Sequence, residues 1–355
     1  MKKIVLSLML AVSLAACGEK TESPKENEKP VVKIGVSLPL SGPMAYVGKV
    51  LKTTVSLVEK DLSDEIRNEY EFIIEDNSFD TKRAAMINNK FFNNDKVDAI
   101  LDVGSKVGLI TYPLADKNKV IHISLATEKA VAKGAYSFIN WAQPSDTAKK
   151  MVDKILKDKI NNIVIFTQED QAMVAISDEL KRGFENNNIK YIEKKNNHGE
   201  KDFNTVLNDL MLFEPQLFIL LEYTPSINVL IKRIKEMNFS AQVTSVETFG
   251  YMDNKEDIEG LWYSDAPDIK NEYRDKFIRH NKSENTYGVG YIYDSLNMLV
   301  QAFENATDNN VLEAFKNIKK YEGVVGTLEQ DEQGVIHSQA VIKKIVNGQP
   351  VVVEE

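Results

Sequence analysis

A few side chains stand where a small charged ligand can be held. Ser105 follows Gly104 at the end of an apolar run, Val97–Val103, and Lys106 opens a helical stretch. A serine there offers its hydroxyl and the helix offers its first amides; both suit a carboxylate. Thr127 occupies the equivalent place in Ser124-Leu125-Ala126-Thr127, after the run Val120–Ser124. Neighbouring parallel strands lie about 4.8 Å apart, so Ser105 and Thr127 can converge on one anion, and Leu125 is counted with them. Taken singly, each hydroxyl reads as a helix N-cap. Glu247 ends the run Gln242–Val246 and offers a carboxylate to an ammonium group; the plainer reading is a solvated loop acid. Tyr223 ends Leu217–Tyr223 and can stack on a ligand or pack at a rim, and Tyr46 is read the same way. Trp141 reads as core or hinge packing.

Catalytic patterns are thin. His122, His198, His280 and His337 are scattered, without the HExxH spacing of a zinc site. Ser105 lacks the G-x-S-x-G elbow, since Val103 and Val107 stand where the glycines belong. Gly288-Val289-Gly290 runs on into Tyr291-Ile292 and makes no dinucleotide fingerprint, and there is no P-loop. Asp308 and Asp331 are loop acids without metal-ligand spacing. The chemistry to expect is binding, with no cofactor and no metal; a hydrolase using Ser105 is the alternative from another class.

These residues need strand ends to position them, and the chain supplies a βα rhythm. Val32 to Gly48, VKIGVSLPLSGPMAYVG, reads as a buried strand, a loop ending Ser41-Gly42-Pro43, and a helix from about Val47. A loop leaving the carboxyl end of a parallel strand is where open α/β sheets bind ligands. Strand and helix then alternate every 25–30 residues or so, which is βαβ spacing. The rhythm restarts after Gln143-Pro144-Ser145, giving two similar blocks, 31–143 and 144–269, with a cleft between them. Helices follow over 271–281, 287–305 and 310–319, then strands over 324–328, 335–345 and 351–353. The expected fold class is α/β, two lobes with parallel sheets.

The 355 residues are enough for about two domains at roughly 100–200 residues each. At the amino terminus, Lys2 and Lys3 precede an apolar stretch, Ile4–Leu14, too short to span a bilayer. Leu14-Ala15-Ala16-Cys17 resembles the lipobox of bacterial lipoproteins, which implies that Cys17 is lipidated. Cys17 is also the single cysteine, so no internal disulfide or CxxC site exists. Glu19–Lys29 has no apolar residue except Pro24 and reads as a disordered tether. Removing residues 1–16 takes away Lys2 and Lys3 and moves the formal charge from −9 to −11. Such an acidic body gives no footprint for nucleic acid.

In order along the chain, these residues resemble the solute-binding proteins of the leucine/isoleucine/valine type that serve ABC importers. The opening IGVSLPLSGPMAYVG, the Asp76–Ala84 stretch, Ser105 with Pro113-Leu114-Ala115 and Ala126-Thr127, Gly260-Leu261-Trp262, Tyr293-Asp294-Ser295 and Gly323-Val324-Val325-Gly326 carry the likeness. It implies two lobes joined by crossings near Gln143, Asp268 and Gly326, hence lobe 1 as 31–143 plus 270–326 and lobe 2 as 144–269 plus 327–355. It implies that Ser105 and Thr127 hold a ligand carboxylate, Glu247 its ammonium, and Tyr223 and Tyr46 its side chain. It implies a monomeric receptor with a permease and its ATPase as partners. The family's Tyr-Gly at the head of the second lobe's first βα helix reads Gln171-Ala172 here, so Gln171 is expected in a more polar pocket. Tyr46 stands one place earlier than the family's aromatic, with Val47 before Gly48. A sensory module on the same fold, for an amide or small carboxylate, is the second reading.

Overall fold

A computed structural model describes residues 30–354, apart from positions 43, 198, 253, 284, 285, 287 and 309. The signal stretch, Cys17 and the tether lie outside the described residues, as does Pro43. The first block runs β1 (Val32–Leu38), α1 (Ala45–Asp61), β2 (Tyr70–Asp76), α2 (Thr81–Lys90), β3 (Ala99–Val103), α3 (Ser105–Asn118), β4 (Ile121–Leu125) and β5 (Ser137–Asn140). All of β3 and β4 and the last five residues of β1 are buried. That is why these strands read as continuous apolar runs and not as alternating ones: helices cover both faces of a parallel sheet. Helix α1 begins at Ala45, two residues before the expected start.

The second block runs α4 (Pro144–Lys157), β6 (Asn162–Gln168), α5 (Gln171–Asn186), β7 (Lys190–Asn196), α6 (Asn204–Leu210), β8 (Leu217–Leu221), α7 (Ser226–Glu236), β9 (Gln242–Thr244), α8 (Thr248–Tyr251) and β10 (Trp262–Asp265). Pro144 at the head of α4 suits the first helical turn, where its missing N–H costs nothing. Met151, Val152 and Ile155 then form its buried stripe. Asp170 caps α5 by accepting from the amides of Ala172, at 2.9 Å, and Met173, at 3.4 Å. The chain returns to the first block through α9 (Asn271–Asn281), α10 (Val289–Glu304), α11 (Val311–Lys316), β11 (Lys320–Gly323), β12 (Gly326–Gln330) and β13 (Val335–Ser338). It ends in the second with β14 (Val341–Val346) and β15 (Gln349–Glu354). Among the described residues no helix is long and apolar enough to cross a membrane.

The first sheet has the order β11-β12-β13-β5-β4-β3-β1-β2, the second β7-β6-β8-β9, and β10-β14-β15 form a small antiparallel sheet beside it. One expectation is corrected here. Gly326 is no crossing: it sits in the β11–β12 hairpin with φ 100°. β13 joins the first sheet in parallel with β5, Val335 opposite Ile139. The third crossing is therefore at 339–340, and residues 327–338 belong to the first lobe. The expected single strand 335–345 is two strands in two sheets. A period-two pattern shows that a segment is a strand, not which sheet it joins. β10 was not anticipated at all.

The β11–β12 hairpin is held by α10. The Asp294 carboxylate accepts from the amides of Val324 at 2.8 Å and Val325 at 3.2 Å. Gly323 must be a glycine, because a Cβ there would meet Asp294 Oδ2 at 2.2 Å. Asp294→Ala leaves two buried amides unpaired, and should lower unfolding stability by about 1–3 kcal/mol per lost partner set. Urea denaturation of the variant beside wild type checks this; an unchanged midpoint would contradict it.

Candidate functional site

Each parallel sheet has one place where successive connections leave in opposite directions. In the first sheet the chain goes from β1 to β2 on one side and then to β3 on the other, so the crevice opens beyond the ends of β1 and β3. In the second, β6 is flanked by β7 and β8, so the crevice lies beyond β6 and β8. The residues at those four ends are the loop at 39–41, Gly104-Ser105, Asp170-Gln171 and Glu222-Tyr223.

The first lobe's bank is built on close backbone approach. A Cβ on Gly48 would meet the Pro39 carbonyl oxygen at 2.1 Å, so α1 packs directly on the loop leaving β1. Asp76 fixes that loop. Its Oδ1 accepts from the amides of Leu40 at 2.9 Å and Ser41 at 3.1 Å, and its Oδ2 from the Ser41 hydroxyl at 2.6 Å. Burial pushes this carboxyl up, but the bonds from Ser41 and Ser78 and the charge of Arg83 outweigh it and hold it below the usual range. Gly104 has φ 97°, a region that favours glycine, and a Cβ there would strike the Phe79 ring at 2.3 Å.

Ser105 and Thr127 are brought together through the Thr127 backbone amide. Ser105 Oγ accepts from the amides of Thr127 at 3.3 Å and Glu128 at 3.2 Å. A hydroxyl has two lone pairs and one proton. With both lone pairs taken, its remaining capacity is to donate, which matches a carboxylate. Leu125 is placed differently from the expectation: its side chain lies in the core on the α1/α10 face, and only its carbonyl serves the site, accepting from Gly104 N at 2.9 Å. Tyr46, on the first turn of α1, is 61% exposed.

On the second lobe, Glu247 stands between β9 and α8 with φ 61°. Its amide donates to the Ser264 carbonyl at 2.8 Å, and its carbonyl accepts from Gly250 N at 2.9 Å. Its charge reaches two phenols. Burial, then Asp170 and Glu247, push Tyr223 up to about 12. Burial first, then Glu247, Asp265 and Asp146 push Tyr291 of α10 up, against the pull of Ser338. Tyr291 belongs to the first lobe, so second-lobe charges, Glu247 first among them, act on a first-lobe phenol. Sequence reasoning placed Tyr291 only in a helical stripe. Its hydroxyl bonds Ser338 Oγ at 2.9 Å and its ring lies 5.0 Å from that of Trp141, which is thus hinge packing.

Gln171, exposed at the head of α5, reaches across: its Nε2 donates to Glu128 Oε2 at 3.3 Å. The lobes therefore meet at the mouth of the crevice, and Glu128 enters the site without having been singled out. Its signal was adjacency to Thr127.

Two other features are set apart from this site. A cavity of about 720 Å³ is lined by Lys129, Lys133, Lys316, Lys319 and Gln330 among others, all from the first lobe, so hinge closure would not seal it. Asp102, His122 and Ser137 form a chain of hydrogen bonds of 3.0 and 3.1 Å; all three side chains are buried, with Ser137 at the wall of that first-lobe cavity and away from the crevice between the lobes. Among the described residues no group of histidines, cysteines or carboxylates forms a metal site.

Two α/β lobes, each with a switch point and joined by three crossings, define the fold class of a two-lobed binding protein. Residues 31–348 match the model of the family described as periplasmic binding protein, and the chain belongs to that family, whose members are binding proteins. A curated relative, the leucine-, isoleucine-, valine-, threonine- and alanine-binding protein of Pseudomonas aeruginosa, is 24% identical over 234 residues, 62% of this chain and 61% of the relative. The match thus spans less than two thirds of that relative's length. The fold is shared with a leucine-binding protein of Thermotoga maritima, at TM-score 0.72, 22% identity, 91% of this chain and 98% of that one. It is shared also with a branched-chain amino-acid receptor of Streptococcus pneumoniae solved with isoleucine, at TM-score 0.70, 18% identity, 92% and 100% coverage. A solute-binding protein of Rhodopseudomonas palustris solved with 3,4-dihydroxybenzoic acid gives TM-score 0.72 at 18% identity, with 92% and 96% coverage.

Beside Tyr223, Glu222 is fully buried, one carboxylate oxygen accepting from Asn196 Nδ2 at 3.1 Å and the other without a partner among the described residues. Burial pushes it up to about 7, against the pull of Asn196. The folded chain then keeps a proton that the unfolded chain has lost. Stability should fall as pH rises from about 4.5 toward 7 and level off above, by up to roughly 3 kcal/mol. Glu222→Gln should remove that slope, so its stability relative to wild type rises between pH 5 and pH 8; parallel urea titrations would show it, and equal slopes would refute it.

Proposed function

We propose that this chain is the extracytoplasmic receptor of an ABC importer, closing its lobes on an α-amino acid and presenting it to a membrane permease and its ATPase. The observation that carries this is the pairing of donor and acid. Ser105 Oγ, both lone pairs occupied, is left to donate to a carboxylate. On this reading Glu247, just past β9 on the second lobe, takes the ammonium. The amino-acid ligands of the relatives in Pseudomonas, Thermotoga and Streptococcus support the ligand class. Thr127 and Tyr223 flank these two groups. Closure follows from contacts made only when both banks touch the ligand. The chain acts as a monomer, without catalysis, cofactor or metal.

The ligand's side chain is open on this reading. Gln171 is bonded to Glu128 at the mouth, so a polar amino acid fits as well as a branched one. The dihydroxybenzoate complex of the Rhodopseudomonas protein shows another carboxylate on this fold, and it favours a second reading in which the ligand carries no ammonium. Isothermal titration against amino acids and small carboxylates separates the two. On the first reading Ser105→Ala and Glu247→Gln each weaken binding about 10–100-fold, as the loss of a hydrogen bond to a charged group predicts. On the second only Ser105→Ala does. No binding from either pool would sink both.

We also infer that Cys17 carries the lipid that holds the receptor on a bacterial membrane, from the lipobox-like Leu14-Ala15-Ala16-Cys17. Cys17→Ser should release the protein from the membrane fraction and abolish incorporation of labelled palmitate; a variant that stays in the membrane would count against it.

A further inference from the structure

β13 and β5 leave the first sheet side by side and in parallel, Ile336 opposite Asn140. Two of the three crossings, 141–143 and 339–340, are therefore neighbours. His337, the penultimate residue of β13, spans the joint they make. Its Nδ1 lies 3.0 Å from both carboxylate oxygens of Asp146, in the first turn of α4 on the second lobe. Its Nε2 lies 3.3 Å from Asp331 Oδ2, in the β12–β13 turn of the first lobe. A neutral imidazole has a single N–H and can serve one of these carboxylates; an imidazolium serves both.

We propose that His337 is a positioning residue of the hinge: in its charged form it pins α4 to the β12–β13 turn and biases the lobes toward the arrangement in which Gln171 reaches Glu128. The surroundings are consistent with this. Asp331 Oδ1 is already held by the amides of Gln333 and Val335, so its side chain is a fixed anchor. Ser145 Oγ lies 3.3 Å from Asp146 Oδ1. Glu329 stands opposite His337 on β12 and adds a third acid. The β5 residues in register with β13, Ile139 and Asn140, are neutral, and the Tyr291 phenol is bonded to Ser338. The bond to Asp146 raises the His337 pKa above its ordinary value, burial opposes this, and the charges of Asp146 and Asp331 add to the rise. The sign follows: the pin is complete below the ordinary histidine value and is lost as pH climbs through the raised one.

The test needs no ligand, so it stands apart from the amino-acid reading. The ligand-free protein is followed from pH 5.5 to 9 by small-angle scattering, and the His337 ring by NMR, assigned from the signal missing in His337→Gln. The radius of gyration of wild type should grow with pH, with the midpoint of the His337 titration and above 6.5. His337→Gln and Asp146→Asn should hold one radius, the high-pH value, at every pH; Asp146→Asn leaves β13 intact should the first variant fold poorly. A His337 midpoint at or below 6.5, a wild-type radius that does not move, or variants that open on the wild-type profile would each overturn the proposal.

Discussion

The Ser105 hydroxyl joins two strand ends with one atom. By accepting from the amides of Thr127 and Glu128 it fixes the loop after β4 against the helix after β3. That junction sets the direction of the hydroxyl's own proton, the place of Thr127 and the reach of Glu128 toward the other lobe. The approach is possible only because Gly104 takes a positive φ and leaves room for Phe79. On the other side of the same crevice, Asp76 does a comparable job for the loop after β1 with three acceptor contacts. Two short polar junctions thus shape a bank whose interior is otherwise apolar.

The lobes are separately packed. Leu51, Ile292, Leu299 and Phe315 belong to a core on one face of the first sheet, while Phe166, Phe218 and Leu230 and, on the opposite face, Ile155, Leu180 and Phe184 pack the second. Among the described residues no apolar cluster is shared between the first and second sheets. Movement at the crossings can therefore leave both cores undisturbed, which close-packed interiors demand, since they resist gradual deformation. Among the described residues, Gln171 to Glu128 and His337 to Asp146 are polar contacts that join the lobes, while the hydroxyl of Ser264 donates to the Thr147 carbonyl within the second lobe's hinge wall. Lys343 completes that wall. It is nearly buried and bonded to Asp265 at 2.9 Å and Asp268 at 2.8 Å, so the small antiparallel sheet is tied to the crossing at 266–270. A buried ion pair of this kind adds little net stability, but removal of one partner is costly.

The βα rhythm was legible because parallel strands covered on both faces are apolar throughout and their helices carry a stripe; β1, β6, β8, α4 and α7 all announce themselves that way. The positions of Ser105, Thr127, Tyr223 and Glu247 at or just past strand ends were legible for a related reason: such ends are visible in the pattern. The third crossing was not, because Val335-Ile336 and Val341-Ile342 look alike, and which sheet each joins is decided by pairing with β5 or β10, far away in the chain. Asp76, Glu128, Tyr291 and His337 were missed for the same reason. Each acts through a partner from another element, and no local pattern marks it. Leu125 was misread because in a twice-covered strand the residue next to a site residue points into a core.

Glu247 is the place where local preference and the fold disagree. A non-glycine residue at φ 61° and ψ −42° costs of order 1–3 kcal/mol and persists only where its surroundings enforce it. Here they do: its amide is bound to Ser264 on β10, the isolated bridge from Val246 to Ser264 anchors the residue before it, and Gly250 closes the turn behind. An uncharged glycine would fit that backbone without strain. A carboxylate stands there instead, and its charge acts on Tyr291 of the first lobe. Strain of this kind persists only because β10 and the turn at Gly250 over-determine the backbone around Glu247.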